Sequence, residues 1–285
     1  MTFQDVVLKL SDYWRKKGCL ITQPYPTETG ALTFDPFTFF KVLDKEPWRV
    51  AYYGISKRPK DGRYAENPNR LQQFYQYQVI LKPPPDDVQE LYLKSLEHIG
   101  INLKEHDVRF VEDDWESEAL GARGLGWEVW LDGLEITQFT YFQEVAGFKL
   151  NPPSVELTYG LERICMFLQK KDNVFEIEWG AGIKYGELFK KSEYEFCRFN
   201  YDDANVELYR KLFDDFEKEA IRFLTELKLL APGYDYVMKC SHILNILDAR
   251  RAIGPEERKT YIARVRKLAH LAAKLYLEQK YGEVK

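Results

Sequence analysis

Apolar residues recur along the chain first at helical spacing, then at strand spacing, then at helical spacing again. Val6, Val7, Leu10 and Trp14 share one helical face between Thr2, able to cap a helix, and Gly18, able to end one. They predict a helix over 3–17. Residues 19–46 are broken by Pro24, Pro26, Gly30 and Pro36 and are expected to be irregular. Trp48 to Ser56 alternates as a strand entering a loop at Arg58, and Leu71 to Leu81 alternates as the strand leaving it. On the second strand Leu71, Gln73, Tyr75, Tyr77, Val79 and Leu81 share a mainly apolar face, expected in the core. Gln72, Phe74, Gln76, Gln78 and Ile80 share the other face. Amides around a phenylalanine ring are an odd surface to turn to bulk water.

Pro83–Pro85 stop that strand, and Val88–Ile99 fits a helix favoured at its start by Asp86 and Asp87 and ended by Gly100. Residues 107–144 alternate mostly as strand. Within them Asp132-Gly133 lies between alternating apolar residues, which predicts a type I′ hairpin. Asn151-Pro152-Pro153 predicts a chain break, after which Val155–Gln169 passes through Gly160 into an apolar helix. Beyond residue 200 the period is helical, with helices expected over 204–230, 234–252 and 255–281. Leu208, Leu212, Phe216, Ala220, Phe223 and Leu227 stripe the first, and Gly254-Pro255 opens the last. Strands with inserted helices, without regular βαβ alternation, predict an α+β fold. The expected architecture is a mainly antiparallel sheet flanked by helices over 1–200 and an all-helical C-terminal domain over 201–285. No GxxxxGKS or GxxxxGKT run occurs, which disfavours a P-loop site.

Composition changes this picture little. The chain is 45% hydrophobic and 30% charged, as in soluble globular proteins, and 15% aromatic, which favours large buried cores or interfaces. A net charge of -4 does not indicate a surface that grips nucleic acid unaided. Arg250, Arg251, Arg258, Lys259, Arg264, Arg266 and Lys267 nevertheless make the C-terminal region locally basic. Cys19, Cys165, Cys197 and Cys240 form no CxxC pair, and His98, His106, His242 and His270 form no HExxH pattern. A zinc or disulfide framework is not expected, and the cysteines are expected as buried thiols in a reducing compartment. The chain opens MTFQDVV without a basic-then-apolar leader, and no membrane span is expected. The expected location is the cytoplasm.

Candidate chemistry gathers in two stretches. Arg58, Arg63 and Arg70 surround a polar, turn-rich loop beside the Phe74 face. Guanidinium forks suit phosphate, a ring suits a base, and amides suit a small polar substrate. In Glu156-Leu-Thr-Tyr-Gly-Leu-Glu-Arg163, a glycine that lets a backbone approach a flat ring lies three residues before an arginine at a helix start.

The strand–loop–strand around Arg58 and Phe74 resembles motif 2 of the class II aminoacyl-tRNA synthetases, and Gly160-Leu-Glu-Arg163 resembles their motif 3. In detail RPKDGRYAENPNRLQ, WEVWLDGLEITQFTYFQ and ELTYGLERI are similar to the α subunit of bacterial heterotetrameric glycyl-tRNA synthetases. The likeness runs from the first helix to the C-terminal helices. Arg123 in GARGLGW departs from the bulky neutral residue of that pattern, and motif 1 can be placed only loosely, in the first fifty residues. The resemblance implies a class II synthetase-type antiparallel sheet and a reaction. Glycine and ATP, with Mg²⁺, give glycyl-adenylate and pyrophosphate, and glycine then passes to the 3′ end of tRNA-Gly. It also implies a β subunit supplying most tRNA binding, and an α–α dimer within a two-alpha two-beta tetramer.

The resemblance assigns roles. Arg58, Glu135 and Arg163 form the expected catalytic set. Arg58 holds the α-phosphate and the substrate carboxylate, and Arg163 the γ-phosphate of a bent ATP. Arg63 or Arg70 reaches the remaining phosphates or the tRNA acceptor end. Phe74 stacks on adenine, with Gly160 and Arg163 near its other side, and Glu135 takes Mg²⁺. Glu156 is the expected partner of the glycine ammonium, with Gln76, Gln78, Gln138 and Thr158 as further contacts and Trp115 as a wall. No protein nucleophile is required, because the glycine carboxylate attacks the α-phosphorus directly. The basic last helix is expected to contact the β subunit or the tRNA acceptor.

Overall fold

The sheet grows outward from the two strands that flank the Arg58 loop. The structure, a computed structural model, describes residues 1–282. Thr2 caps helix α1 (Phe3–Lys16): its hydroxyl accepts from the Asp5 amide, and the Asp5 carboxylate accepts from the Thr2 amide. There follow β1 (Leu20–Ile21), a short α2 (Pro36–Phe39), β2 (Trp48–Lys57), β3 (Gln73–Lys82) and α3 (Val88–His98). Next come β4 (Val108–Glu112), β5 (Trp115–Ser117), β6 (Ala122–Leu131), β7 (Leu134–Val145), β8 (Phe148–Gly160) and α4 (Leu161–Gln169). The chain closes with α5 (Tyr185–Arg198), α6 (Val206–Ile221), α7 (Leu230–Ala249) and α8 (Pro255–Tyr281).

The eight-stranded sheet runs β1-β2-β3-β8-β7-β6-β4, with β5 paired to β6. Its pairs are antiparallel except β1 on β2, which is parallel, so the sheet is mixed by one two-residue strand. β2, β3 and β8 are in register through Tyr53, Tyr77 and Tyr159. The hairpin forms at Asp132-Gly133, both with positive φ, between the paired residues Leu131 and Leu134.

Three expectations need correction. Pro152 and Pro153 do not break the chain. Proline offers no amide to a ladder, and the pairing with β7 steps from Phe142–Ser154 to Glu144–Lys149, so residues 150–153 bulge past Gln143 while β8 continues. The helix expected over 204–230 ends at Ile221 and closes in a π-helical turn, Arg222–Glu226. Helix α5 was not anticipated. It buries only Tyr185, Glu193 and Cys197 fully, and its apolar face, with Phe189 against Tyr75 and Tyr185, is interrupted by Ser192 and Glu193.

Two cores lie on the two faces of the sheet. Tyr77, Val79, Leu81, Leu157 and Tyr159 pack beneath α1, α3 and α4. Val50, Tyr52, Ile80 and Phe142 pack with Phe39, Phe40 and the helices α6–α8. Tyr234 of α7 fastens the second core: its ring stacks on Phe39 at 4.7 Å, and its hydroxyl donates to the Phe34 carbonyl at 2.7 Å. All four cysteines are free and buried.

Candidate active site

Because side chains alternate along a strand, the residues one step out of phase with the α1-side core emerge together on the opposite face. There Phe74, Gln76 and Gln78 of β3 meet Glu156, Thr158 and Gly160 of β8 and Gln138 of β7 around a cleft of about 590 Å³. Trp115, Ala31–Thr33 and Arg58 form walls, and Arg163 enters from the first turn of α4. Every residue expected at the site lines this cleft except Arg63.

Arg63 is exposed, and its guanidinium donates to the carbonyls of Lys60 (3.1 Å) and Gly62 (2.6 Å). The loop tip is held against α5. The Tyr64 amide donates to Cys197 Sγ at 3.3 Å, and a Cβ at Gly62 would lie 2.5 Å from that sulfur. This docking turns Arg63 away from the cleft, whereas Arg70 remains at its edge, paired to Asp61 at 2.8 Å.

At the cationic end, Arg58 Nε donates to the Gly30 carbonyl at 2.8 Å, and its Cζ lies 5.1 Å from the Phe74 ring centroid. Solvent reaches this guanidinium, yet protein crowds it. Burial lowers its pKa, Asp61 and Glu135 oppose that shift, and the nearby Arg163 and Arg70 add to it. Arg163 Nη1 donates to the Glu135 carbonyl (2.9 Å) and to its carboxylate (2.8 Å). Like charges thus converge at this end of the cleft.

At the other end the groups bond to one another. Glu156, 2% exposed, accepts from Thr33 Oγ1 at 3.0 Å and from Gln78 Nε2, and Gln78 Oε1 accepts from Thr158 Oγ1 at 2.7 Å. Gln76 accepts from Ser56 (2.6 Å), and Gln138 donates to Asp113 (3.0 Å). Burial pushes the Glu156 carboxyl up to about 7, against the lowering effect of Thr33 and Gln78. Gly160 has an ordinary φ of -82°. A Cβ there would meet the Ile136 carbonyl at 3.4 Å, so the glycine keeps this edge of the cleft flat.

Sequence reasoning missed Thr33, Glu128 and Glu162. Thr33 lies in the stretch without periodicity. Glu162 accepts from the Tyr75 amide and the Tyr185 hydroxyl, both at 2.8 Å, and burial pushes its carboxyl up to about 7. It ties the start of α4 to β3. Glu128 could have been approached from the hairpin: counting back from Leu131–Leu134 sets it opposite Thr137, and a bulge shifts it to Gln138.

Among the described residues no group of three or more His, Cys, Asp or Glu side chains is placed to hold a metal. Glu135 and Glu128 do line the cleft. One or two carboxylates with phosphate oxygens are the usual protein share of a nucleotide-borne Mg²⁺, so this donor set fits an ion that arrives with ATP.

A mainly antiparallel sheet whose cleft takes one arginine from the loop between two neighbouring strands, and a second from the helix following the next strand, is a class II synthetase-type catalytic fold. The chain belongs to the glycyl-tRNA synthetase alpha subunit family, whose profile matches residues 3–281. It is accordingly a class II aminoacyl-tRNA synthetase chain of the glycine–tRNA ligase type, from a family that works with a β subunit on tRNA. Two solved structures of pyrrolysyl-tRNA synthetase from Desulfitobacterium hafniense, one of them PylSc, are similar at 16% identity with a TM-score of 0.45. Each covers 64% of this chain and 76% of its own. The family assignment rests on the full-length match, not on that overlap. No described helix is long and apolar enough to cross a membrane.

Proposed function

We propose that the chain activates glycine with ATP, forming glycyl-adenylate and pyrophosphate, and that with the β subunit it transfers glycine to the 3′ end of tRNA-Gly. The observation that carries this reading is the single cleft joining Arg58, Phe74 and Arg163 to Glu156. Arg58 gives up its bond to the Gly30 carbonyl and turns its guanidinium to the α-phosphate and the glycine carboxylate. Arg163, released from Glu135, turns to the γ-phosphate, and Arg70 is the second arginine in reach of phosphate. The adenine displaces Arg58 from the face of Phe74 and lies flat along Gly160. Glu135, with Glu128, would hold Mg²⁺, which when bound neutralises phosphate charge.

Glycine is recognised by its ammonium on Glu156 and by lack of room for more. Thr33 and Gln78 fix the carboxylate, Thr158 fixes Gln78, and the half-buried Trp115 closes the pocket against larger side chains. The attack of the glycine carboxylate on the α-phosphorus then needs position and charge stabilisation, which two guanidiniums supply. The assembly expected is an α–α dimer flanked by β subunits.

The test is ATP–pyrophosphate exchange by the α–β complex, run with each amino acid in turn. Exchange is expected with glycine and not with alanine. Arg58→Lys, which loses the fork geometry, lowers it by about a hundredfold. Exchange driven equally by another amino acid would sink the glycine assignment.

A further inference from the structure

The glutamines Gln76, Gln78 and Gln138 line the cleft, and their amides are engaged differently. Gln78 spends both ends, its Nε2 on Glu156 and its Oε1 on Thr158. Gln76 Oε1 accepts from Ser56. Gln138 is the reverse case. Its Nε2 donates to Asp113 Oδ2 at 3.0 Å, while its Oε1 has no partner among the described residues and is open to solvent. A carboxylate only accepts, so this bond fixes the sense of the amide, with nitrogen toward Asp113 and oxygen away from it.

Asp113 does not itself line the cleft. It stands in the turn between β4 and β5, where its own amide donates to the Gly126 carbonyl at 3.0 Å. Gly126 lies two residues from Glu128, the residue paired with Gln138. The turn is therefore tied to the sheet close to the glutamine it holds. Gln138 pairs on its other side with Thr158, and Thr158 with Gln78, whose amide reaches Glu156. The open Oε1 thus belongs to the row of side chains beside the Glu156 carboxylate. An ammonium carries three N–H donors, more than one carboxylate oxygen satisfies, and each donor taken out of water needs an acceptor.

We propose that Asp113 is a positioning residue for glycine. It holds the Gln138 amide with its oxygen turned into the cleft, where that oxygen accepts a second N–H of the substrate ammonium beside Glu156. This deepens, and rests on, the reading that the cleft activates glycine. Reversed, the amide would present N–H donors to a cation, a repulsive contact in place of an attractive one. A polarity set before binding also spares the substrate the cost of ordering the side chain.

The experiment is glycine-dependent ATP–pyrophosphate exchange by the α–β complex. It uses a double-mutant cycle between Asp113→Ala and Gln138→Met, with Asp113→Asn alongside. Asp113→Ala is expected to raise the glycine KM about tenfold, as the loss of one hydrogen bond to a charged group does, with kcat and the ATP KM within about twofold of wild type. Gln138→Met, of similar length but without an amide, raises the glycine KM by about as much. On that background Asp113→Ala adds less than about twofold, because Asp113 acts only through the amide. Asp113→Asn keeps an acceptor for Nε2 and stays within about threefold of wild type. Additive effects on the glycine KM overturn the proposal. So does an Asp113→Asn as poor with glycine as Asp113→Ala, which would make the charge of Asp113 the cause. A glycine KM and an ATP KM that rise together, with a fall in melting temperature, overturn it as well and make Asp113 a support of the fold. Should Asp113→Ala fail to fold, Gln138→Met still decides, since an unchanged glycine KM there leaves Asp113 nothing to position. Wild type that fails to exchange glycine sinks the proposed activity and this inference with it, whereas the other outcomes strike the inference alone.

Discussion

The two faces of β3 and β8 share one hydrogen-bonded ladder and do opposite things. Gln78 pairs with Thr158, Val79 with Leu157 and Ile80 with Glu156, so successive rungs point alternately to the cleft side and to the α1-side core. On the core face Tyr77, Val79, Leu157 and Tyr159 are fully buried, and the tyrosine hydroxyls find partners, Tyr159 with Ser95 Oγ at 2.7 Å and Tyr77 with Ser11 Oγ at 3.2 Å. On the cleft face the polar side chains bond mainly to each other. The apolar face gives the ladder its stability, and the polar face inherits its rigidity. That inheritance holds the cleft side chains in place without a flexible loop beneath them. Mutual bonding offsets most of the cost of burying the polar groups. It leaves one imbalance, a buried Glu156 carboxyl shifted toward its protonated form, which a cationic ligand relieves.

The separation of roles can be broken most severely at Arg163. Its contacts are the carbonyl and carboxylate of Glu135, and it is half-buried. Arg163→Ala is expected to lower the glycine-dependent exchange rate about 10³-fold, as the loss of a charge-stabilising donor does, with little change in melting temperature. Leu157→Ala, on the core face, is expected to do the reverse. It should cost about 3 kcal/mol in urea unfolding while leaving the glycine KM of the folded enzyme within twofold. If Arg163→Ala unfolded the protein, or Leu157→Ala abolished glycine binding, the two faces would not be independent.

How far this contrast was legible depends on which residues carry a period. Phe74, Gln76 and Gln78 show themselves by strict alternation, and β8 presents Glu156 and Thr158 in the same phase. Thr33 has no such marker. It stands in a 3-10 turn just before Asp35, whose carboxylate accepts from the Phe37 and Tyr25 amides, and only that tertiary fastening brings its hydroxyl to Glu156. Arg63 has the opposite fate. A basic loop looks equally able to present any of its arginines, and the side on which it lies is set by α5, an element whose apolar face is interrupted by Ser192 and Glu193. Glu162 stands beside Arg163 in the chain, yet its carboxylate is spent on the Tyr75 amide and Tyr185. Adjacent charged residues at a helix start look alike until the packing partner is known.

The two buried glutamates give the finest test of the comparison, because burial raises both to about 7 while only one is expected to face the ligand. For Glu156, pairing with the glycine ammonium needs the ionised form. As pH falls below about 7 the free enzyme protonates, and the glycine KM is expected to rise toward tenfold per unit, with the ATP KM much less affected. The effect on folding has the opposite sign. A carboxyl raised from 4.5 to about 7 binds its proton more tightly in the folded state, so its stability contribution is full at low pH and is lost as pH rises through that window. Saturating glycine restores part of that loss. Glu156→Gln should flatten the KM profile and weaken glycine most above about pH 7, with wild type and variant converging at lower pH. Glu162→Gln should change the pH dependence of melting while the glycine KM keeps its rise below about 7, since Glu162 is engaged by Tyr75 and Tyr185 rather than by substrate. A KM profile that stays flat from pH 8 to about 6 in the wild type, or one abolished by Glu162→Gln rather than Glu156→Gln, would place the ammonium elsewhere in the cleft.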